Sequence, residues 1–188
     1  MKSFFAASVL ALVGSSVAAP STMRWAKRDS PNGCGADPGP QGVINAINQW
    51  DSDVQTVNAF LDAAPGLDAT GILSQIENVL NHAQDEPNQL QVLACEQLVG
   101  SVPEAQNAAN DLFANFGNNV LVPLGNILAN PGDSDSVNSN LDIINNFRCC
   151  HVLPDLDALW EETADDEGVS NLVPISAPRP NVCSSIGC

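Results

Sequence analysis

Residues 43–66 read VINAINQWDSDVQTVNAFLDAAPG. Within them Val43, Ile47, Trp50, Val54, Val57, Leu61 and Ala64 are separated by 4, 3, 4, 3, 4 and 3 positions. A helix turns once every 3.6 residues, so this set forms one apolar stripe along about six turns. The residues between them, Asn45, Asp51, Asp53, Gln55 and Asn58, are polar and predict a solvated opposite face. Pro65-Gly66 predicts the stop. A 4–3 spacing suits a helix seated between others in an antiparallel bundle better than a lone surface helix.

The same period recurs downstream. Asp68 can cap a helix carrying Ile72, Leu73, Ile76, Val79, Leu80 and Ala83. Asp85-Glu86-Pro87 predicts a restart, with proline in a first turn, followed by Leu90, Leu93, Cys95, Leu98 and Val99 up to Gly100. Ser101-Val102-Pro103-Glu104 has the form of a capping box. It leads into Ala105, Ala108, Ala109, Leu112, Phe113 and Phe116, with Gly117 as the expected end. Val120 to Leu128 is a short apolar segment interrupted by Pro123, and Asn130-Pro131-Gly132 is a turn. Asp133 to Asp135 cap a helix through Val137, Leu141, Ile144, Phe147 and Cys150. A last helix is predicted from near Asp155, with Leu156, Leu159 and Trp160, the ring of Trp160 at the rim of the core beside an acidic run. Residues 169–188, with Pro174, Pro178 and Pro180, read as an extended tail. The expected fold is all-α: a single disulfide-stapled antiparallel bundle of six or seven helices over residues 29–168, with an irregular C-terminal tail.

The N-terminal region reads as an address rather than a fold. Lys2 precedes an apolar run from Phe4 to Val13, and Ser16-Val17-Ala18 supplies a signal-peptidase pattern, giving a signal peptide over residues 1–18 cut after Ala18. Residues 19–28 end in the dibasic pair Lys27-Arg28 and read as a propeptide, with Asp29 as the mature N-terminus. Removing residues 1–28 leaves two arginines, Arg148 and Arg179, against 22 acidic residues, a formal charge of −20. Such a surface repels nucleic acid and anionic headgroups. The six cysteines, Cys34, Cys95, Cys149, Cys150, Cys183 and Cys188, all follow the dibasic pair. An even count behind a signal peptide predicts a disulfide framework. The neighbours Cys149 and Cys150 must bond to different partners, with Cys95 and one of Cys34, Cys183 or Cys188 the preferred pair. No C-x-x-C occurs and His82 and His151 lack ligand spacing, so neither metal nor cofactor residues are assigned.

Few residues suggest chemistry. The chain has no G-x-S-x-G elbow and no phosphate-binding glycine loop. Asp133-Ser134-Asp135-Ser136 lacks the glycine and closing glutamate of a calcium loop and reads as a helix cap. His151, Asp155, Asp157, Glu161 and Glu162 cluster in sequence and could supply a carboxylate/His acid–base pair. Acidic residues are also favoured at helix N-termini, which explains the same cluster without catalysis. The assigned catalytic residues are therefore none, with His151, Asp155, Asp157 and Glu161 as the alternative.

The opening helix from Val43 to Val54, continuing to Phe60-Leu61-Asp62, resembles that of small exported fungal proteins, as do Gln84-Asp85-Glu86-Pro87-Asn88-Gln89-Leu90 and Arg148-Cys149-Cys150-His151-Val152-Leu153-Pro154. Over residues 40–150 the organisation is distantly similar to the hydrophobic surface-binding protein A and cell-wall galactomannoprotein family. That resemblance implies a secreted helical protein that binds lipids or apolar surfaces, associated with the cell wall. Six cysteines and the lack of a long Ser/Thr-rich stretch depart from a mannoprotein stalk. The expectation is a secreted, non-enzymatic binding protein for a lipid-like ligand, hydrophobic surface or cell-wall or host component. The alternatives are a secreted hydrolase built on residues 151–162 and a host-directed effector. Edman sequencing of protein recovered from culture fluid should begin at Asp29; a start at Ala19 would show that the dibasic pair is not processed.

Overall fold

The computed structural model describes residues 36–96 and 98–188. The signal peptide, the propeptide, the processing residues Ala18, Lys27 and Arg28, and Cys34 lie outside the described residues. The described chain is helical without strands: α1 (Gly39–Ala63), α2 (Ala69–Leu93), α3 (Pro103–Phe116), α4 (Val122–Ala129), α5 (Ser134–Phe147) and α6 (Leu153–Asp166). All seven residues of the opening stripe are buried. Asp68 Oδ1 accepts from the Gly71 backbone N–H at 2.8 Å and Asp133 Oδ1 from that of Ser136 at 3.1 Å, so both predicted caps form. Helix α3 starts one residue later than a capping box at Ser101 requires, with Val102 at the cap position.

These six segments make four continuous helical rods rather than six or seven separate helices. Helix α2 runs straight through Pro87, where a restart was expected. Helix α3 does not end at Gly117; a π-helical turn, Gly117–Leu121, carries it into α4. A second π turn, Arg148–Val152, joins α5 to α6, so no helix begins at Asp155. The two π turns share one cause. Each is followed, one residue on, by a proline: Pro123 and Pro154. Proline has no N–H to give, and its ring crowds the carbonyl four residues back. The wider turn bonds Val122 N–H to Gly117 O and Leu153 N–H to Arg148 O, and moves the crowded carbonyl aside.

Helix α1 packs along α2, α3 along α6 and α4 along α5, while α2 also touches α3 and α4, and α1 touches α6. Between them lies one apolar core with an ionic centre. Trp160 is not at the rim but fully buried, its ring edge-on to Trp50 at 6.2 Å. Glu86 and Arg148 are both 0 % exposed. Arg148 Nη1 donates to Glu86 Oε1 at 2.8 Å, and Trp50 Nε1 donates to Glu86 Oε2 at 3.1 Å. Arg148 Nη2 reaches Asn58 Oδ1 at 3.3 Å.

The C-terminal tail is irregular, with a short 3₁₀ turn at Asn181–Ser185, and is tied down at several points. Cys149 is bonded to Cys183 and Cys150 to Cys188. The neighbours thus do bond to different partners, but neither reaches Cys95, because both side chains of the π turn face the tail. Cys95 is itself disulfide-bonded. Asn58 Nδ2 donates to Pro178 O at 2.7 Å, and Asp62 accepts from the backbone and side chain of Asn181, both at 2.8 Å. Asp157 accepts from Ala177 N–H at 2.7 Å and from both Arg179 terminal nitrogens at 2.9 and 2.6 Å. A hydrogen bond to a charged group contributes about 1.5–3 kcal/mol. Asp157→Ala should therefore speed amide exchange at Ala177 by about tenfold or more while the disulfides keep the tail attached; unchanged exchange at Ala177 would contradict this latch.

Candidate functional site

The π turn Arg148–Val152 sets the site. Its extra residue rotates successive side chains so that Arg148 points into the core, Cys149 and Cys150 toward the tail and His151 outward. The His151 ring stacks on Phe147, centroids 4.9 Å apart and planes inclined by 15°. Its Nδ1 lies 3.0 Å from Asp111 Oδ2 on α3, and Asn115 Nδ2 donates to Asp111 Oδ1 at 2.6 Å. The carboxyl of Asp155, in the first turn of α6, lies close to that of Asp111. Burial, then the neighbouring Asp111 carboxylate, push Asp155 up to about 7, opposed by His151. Its Oδ2 is closed off from solvent and has no hydrogen-bond donor.

Two of the four residues of the catalytic alternative therefore meet, through a third that the sequence did not suggest. Asp111 lies forty positions from His151, and nothing in its surroundings distinguishes it from other helical acids. Asp157 is not part of the group; it holds the tail. Glu161 is exposed and apart from them.

Beside this cluster a groove of about 600 Å³ runs along α5. One helical face supplies most of it: Ser139, Asp142, Ile143, Asn146, Phe147 and, on the π turn, Cys150, with Asn119 from the other π turn and His151 at the end. From Ser139 to Cys150 this face is ~17 Å long at 1.5 Å per residue. The opposite face of α5, with Val137, Leu141 and Ile144, is in the core. Ile143 is 44 % exposed, so the groove floor offers apolar surface to solvent.

Two further carboxylate groups lie elsewhere. Asp53, fully buried on α1, accepts from Gln49 Nε2 at 3.0 Å and lies 2.7 Å from His82 Nδ1. Burial pushes it up to about 6, against the hydrogen bond with His82. Asp37, Glu96 and Glu167 bring ligand-type oxygens within 4.8 Å of one another, the one such trio among the described residues. Burial and the Asp37 charge raise the Glu167 carboxyl above its ordinary value.

No family model, curated protein or solved structure matches the chain.

Asp53 and Asp155 fix a pH dependence. Both titrate higher folded than their ordinary value of 3.8, so the folded protein holds extra protons between about pH 4 and 7. Their contribution is complete below pH 4 and is lost as pH rises through 6 and then 7. Urea unfolding across that range should show stability falling by roughly 1–3 kcal/mol per group. Asp53→Asn should flatten the lower part of the curve and Asp155→Asn the upper part; a variant curve parallel to that of the parent would contradict the assignment.

Proposed function

We propose that this is a secreted, non-enzymatic binding protein that holds an elongated apolar ligand in the groove along α5. The observation that carries the reading is exposed Ile143 beside half-buried Phe147 in the groove, on a helix whose other face is already buried. Ile143 is not needed to complete the core. Secretion is supported by the disulfides, which require an oxidising compartment. No described helix is long and apolar enough to cross a membrane. The helical pairs α1/α2, α3/α6 and α4/α5 fit an antiparallel bundle as the scaffold.

The convergence of His151, Asp111 and Asp155 favours a second reading, a secreted hydrolase. Two features weigh against it. Asp155 Oδ2 is shut away from the groove, and the only hydroxyl lining the groove, Ser139, is twelve positions along the rod from His151. At 1.5 Å per residue that is ~18 Å, too far for His151 to activate it.

Titration calorimetry with decanol, a neutral chain of suitable length, tests the binding reading. Saturable one-to-one binding is expected, and Ile143→Asp should weaken it by at least about tenfold, about the transfer free energy of one apolar side chain. No heat with the parent protein, or equal affinity in the variant, would rule the groove out.

A further inference from the structure

We infer that the Cys150–Cys188 bond is a thiol-exchange site, open to small aliphatic thiols, and that the neighbouring Cys149–Cys183 bond is a closed staple. Nothing in this depends on what fills the groove. Two adjacent residues of one π turn carry the two bonds, yet they meet solvent differently. Cys149 is 8 % exposed, and Cys183 is packed, partly buried, against the apolar core. Cys150 is half-buried and Cys188 is exposed. Exchange begins when a thiolate approaches one sulfur of the bond, so access decides which bond is attacked. Cys188 offers that access and Cys149 does not.

The bonds also differ in what keeps their sulfurs together once opened. The tail leading to Cys183 is anchored independently, by Asn58 at Pro178, by Asp157 at Ala177 and Arg179, and by Asp62 at Asn181. If Cys149–Cys183 opened, its sulfurs would stay side by side and rejoin at high effective concentration. Residues 184–188 have no such anchor among the described residues; their hydrogen bonds stay within the 3₁₀ turn. Ser184 Oγ donates to Asn181 O and Ser185 Oγ to Val182 O, both at 2.8 Å, and the half-buried Ile186 gives its N–H to Cys183 O at 3.3 Å. Gly187 is exposed, with open space where a side chain would stand. Opening Cys150–Cys188 therefore frees a short arm to swing away, and a competing thiol can keep Cys188. The step is a displacement. The thiolate attacks Cys188 Sγ and forms a new S–S bond, the Cys150–Cys188 bond breaks, and Cys150 leaves as a thiolate that takes a proton from water. One thiol is consumed and one released, so no other oxidant or reductant is needed.

The test is a time course of the folded mature protein in 2-mercaptoethanol, quenched with iodoacetamide and mapped by tandem mass spectrometry, which resolves the adjacent Cys149 and Cys150. Circular dichroism is followed alongside. Label at Cys150 and the mercaptoethanol adduct at Cys188 should appear about tenfold or more faster than label at Cys149 or Cys183, with the helical signal unchanged. The double variant Cys150→Ser, Cys188→Ser should fold, lose the fast reaction, and keep the parent's slow amide exchange at Ala177 and Asn181. Equal rates at the four cysteines, first label at Cys149 or Cys183, or opening only as the helical signal falls would overturn the inference. Failure of the double variant to fold would also overturn it, because the bond would then be a staple like its neighbour.

Discussion

The ion pair between Glu86 and Arg148 is the contact on which the other features depend. Both side chains are fully out of water, and their remaining bonds go to Trp50 and Asn58 of the opening helix. Desolvating two charges costs several kcal/mol each, and their attraction offsets this only in good geometry with further hydrogen bonds. Such a pair is weak as a source of stability but strict as a constraint. An apolar core tolerates small rotations of its helices; a buried guanidinium with one carboxylate to reach does not. Here the pair fixes α2 against the π turn of the last rod, with α1 bound to both.

That constraint propagates to the surface. With Arg148 inward, the turn presents Cys149 and Cys150 to the tail and His151 to Phe147 and Asp111. Rotating the turn by one position would break both disulfides and dissolve the end of the groove. The wide turns themselves come from Pro123 and Pro154, which make the ordinary helical bond impossible at two similar places. A local defect is thereby used to aim side chains, a recurring role of π turns in helical proteins. The groove then follows from Ile143, which stays exposed on α5 while Phe147 beside it packs partly against the core.

How much of this could be read beforehand depended on the kind of signal. The stripe from Val43 to Ala64 and the caps at Asp68 and Asp133 are local and repetitive, and they appear in the structure as the pattern indicates. Pro87, Gly117 and the Asp155 region are also local signals, yet the helices pass through them. At Pro87 the cost of a missing bond is met by tertiary contacts, above all those of its neighbour Glu86. The polar residues that matter most, Asp53, Asn58, Glu86 and Arg148, lie outside the apolar stripes that periodicity picks out, yet all four are buried. Their burial depends on partners 29 to 120 positions away, as His82 is from Asp53 and Pro178 from Asn58. Asp111 was illegible for the same reason. The acids that follow Trp160 suggest a rim position, but the ring is fully buried while Glu161, Asp165 and Asp166 are exposed.

A double-mutant cycle on Glu86 and Arg148, read by urea unfolding, tests the central claim most directly. Glu86→Leu and Arg148→Met each strand a buried charge and should cost about 3–5 kcal/mol singly. The doubly substituted protein should lose much less than the sum, with a coupling of at least about 1.5 kcal/mol. Losses that simply add would show that the two charges do not hold each other, and the account of how the turn and the groove are set would fail.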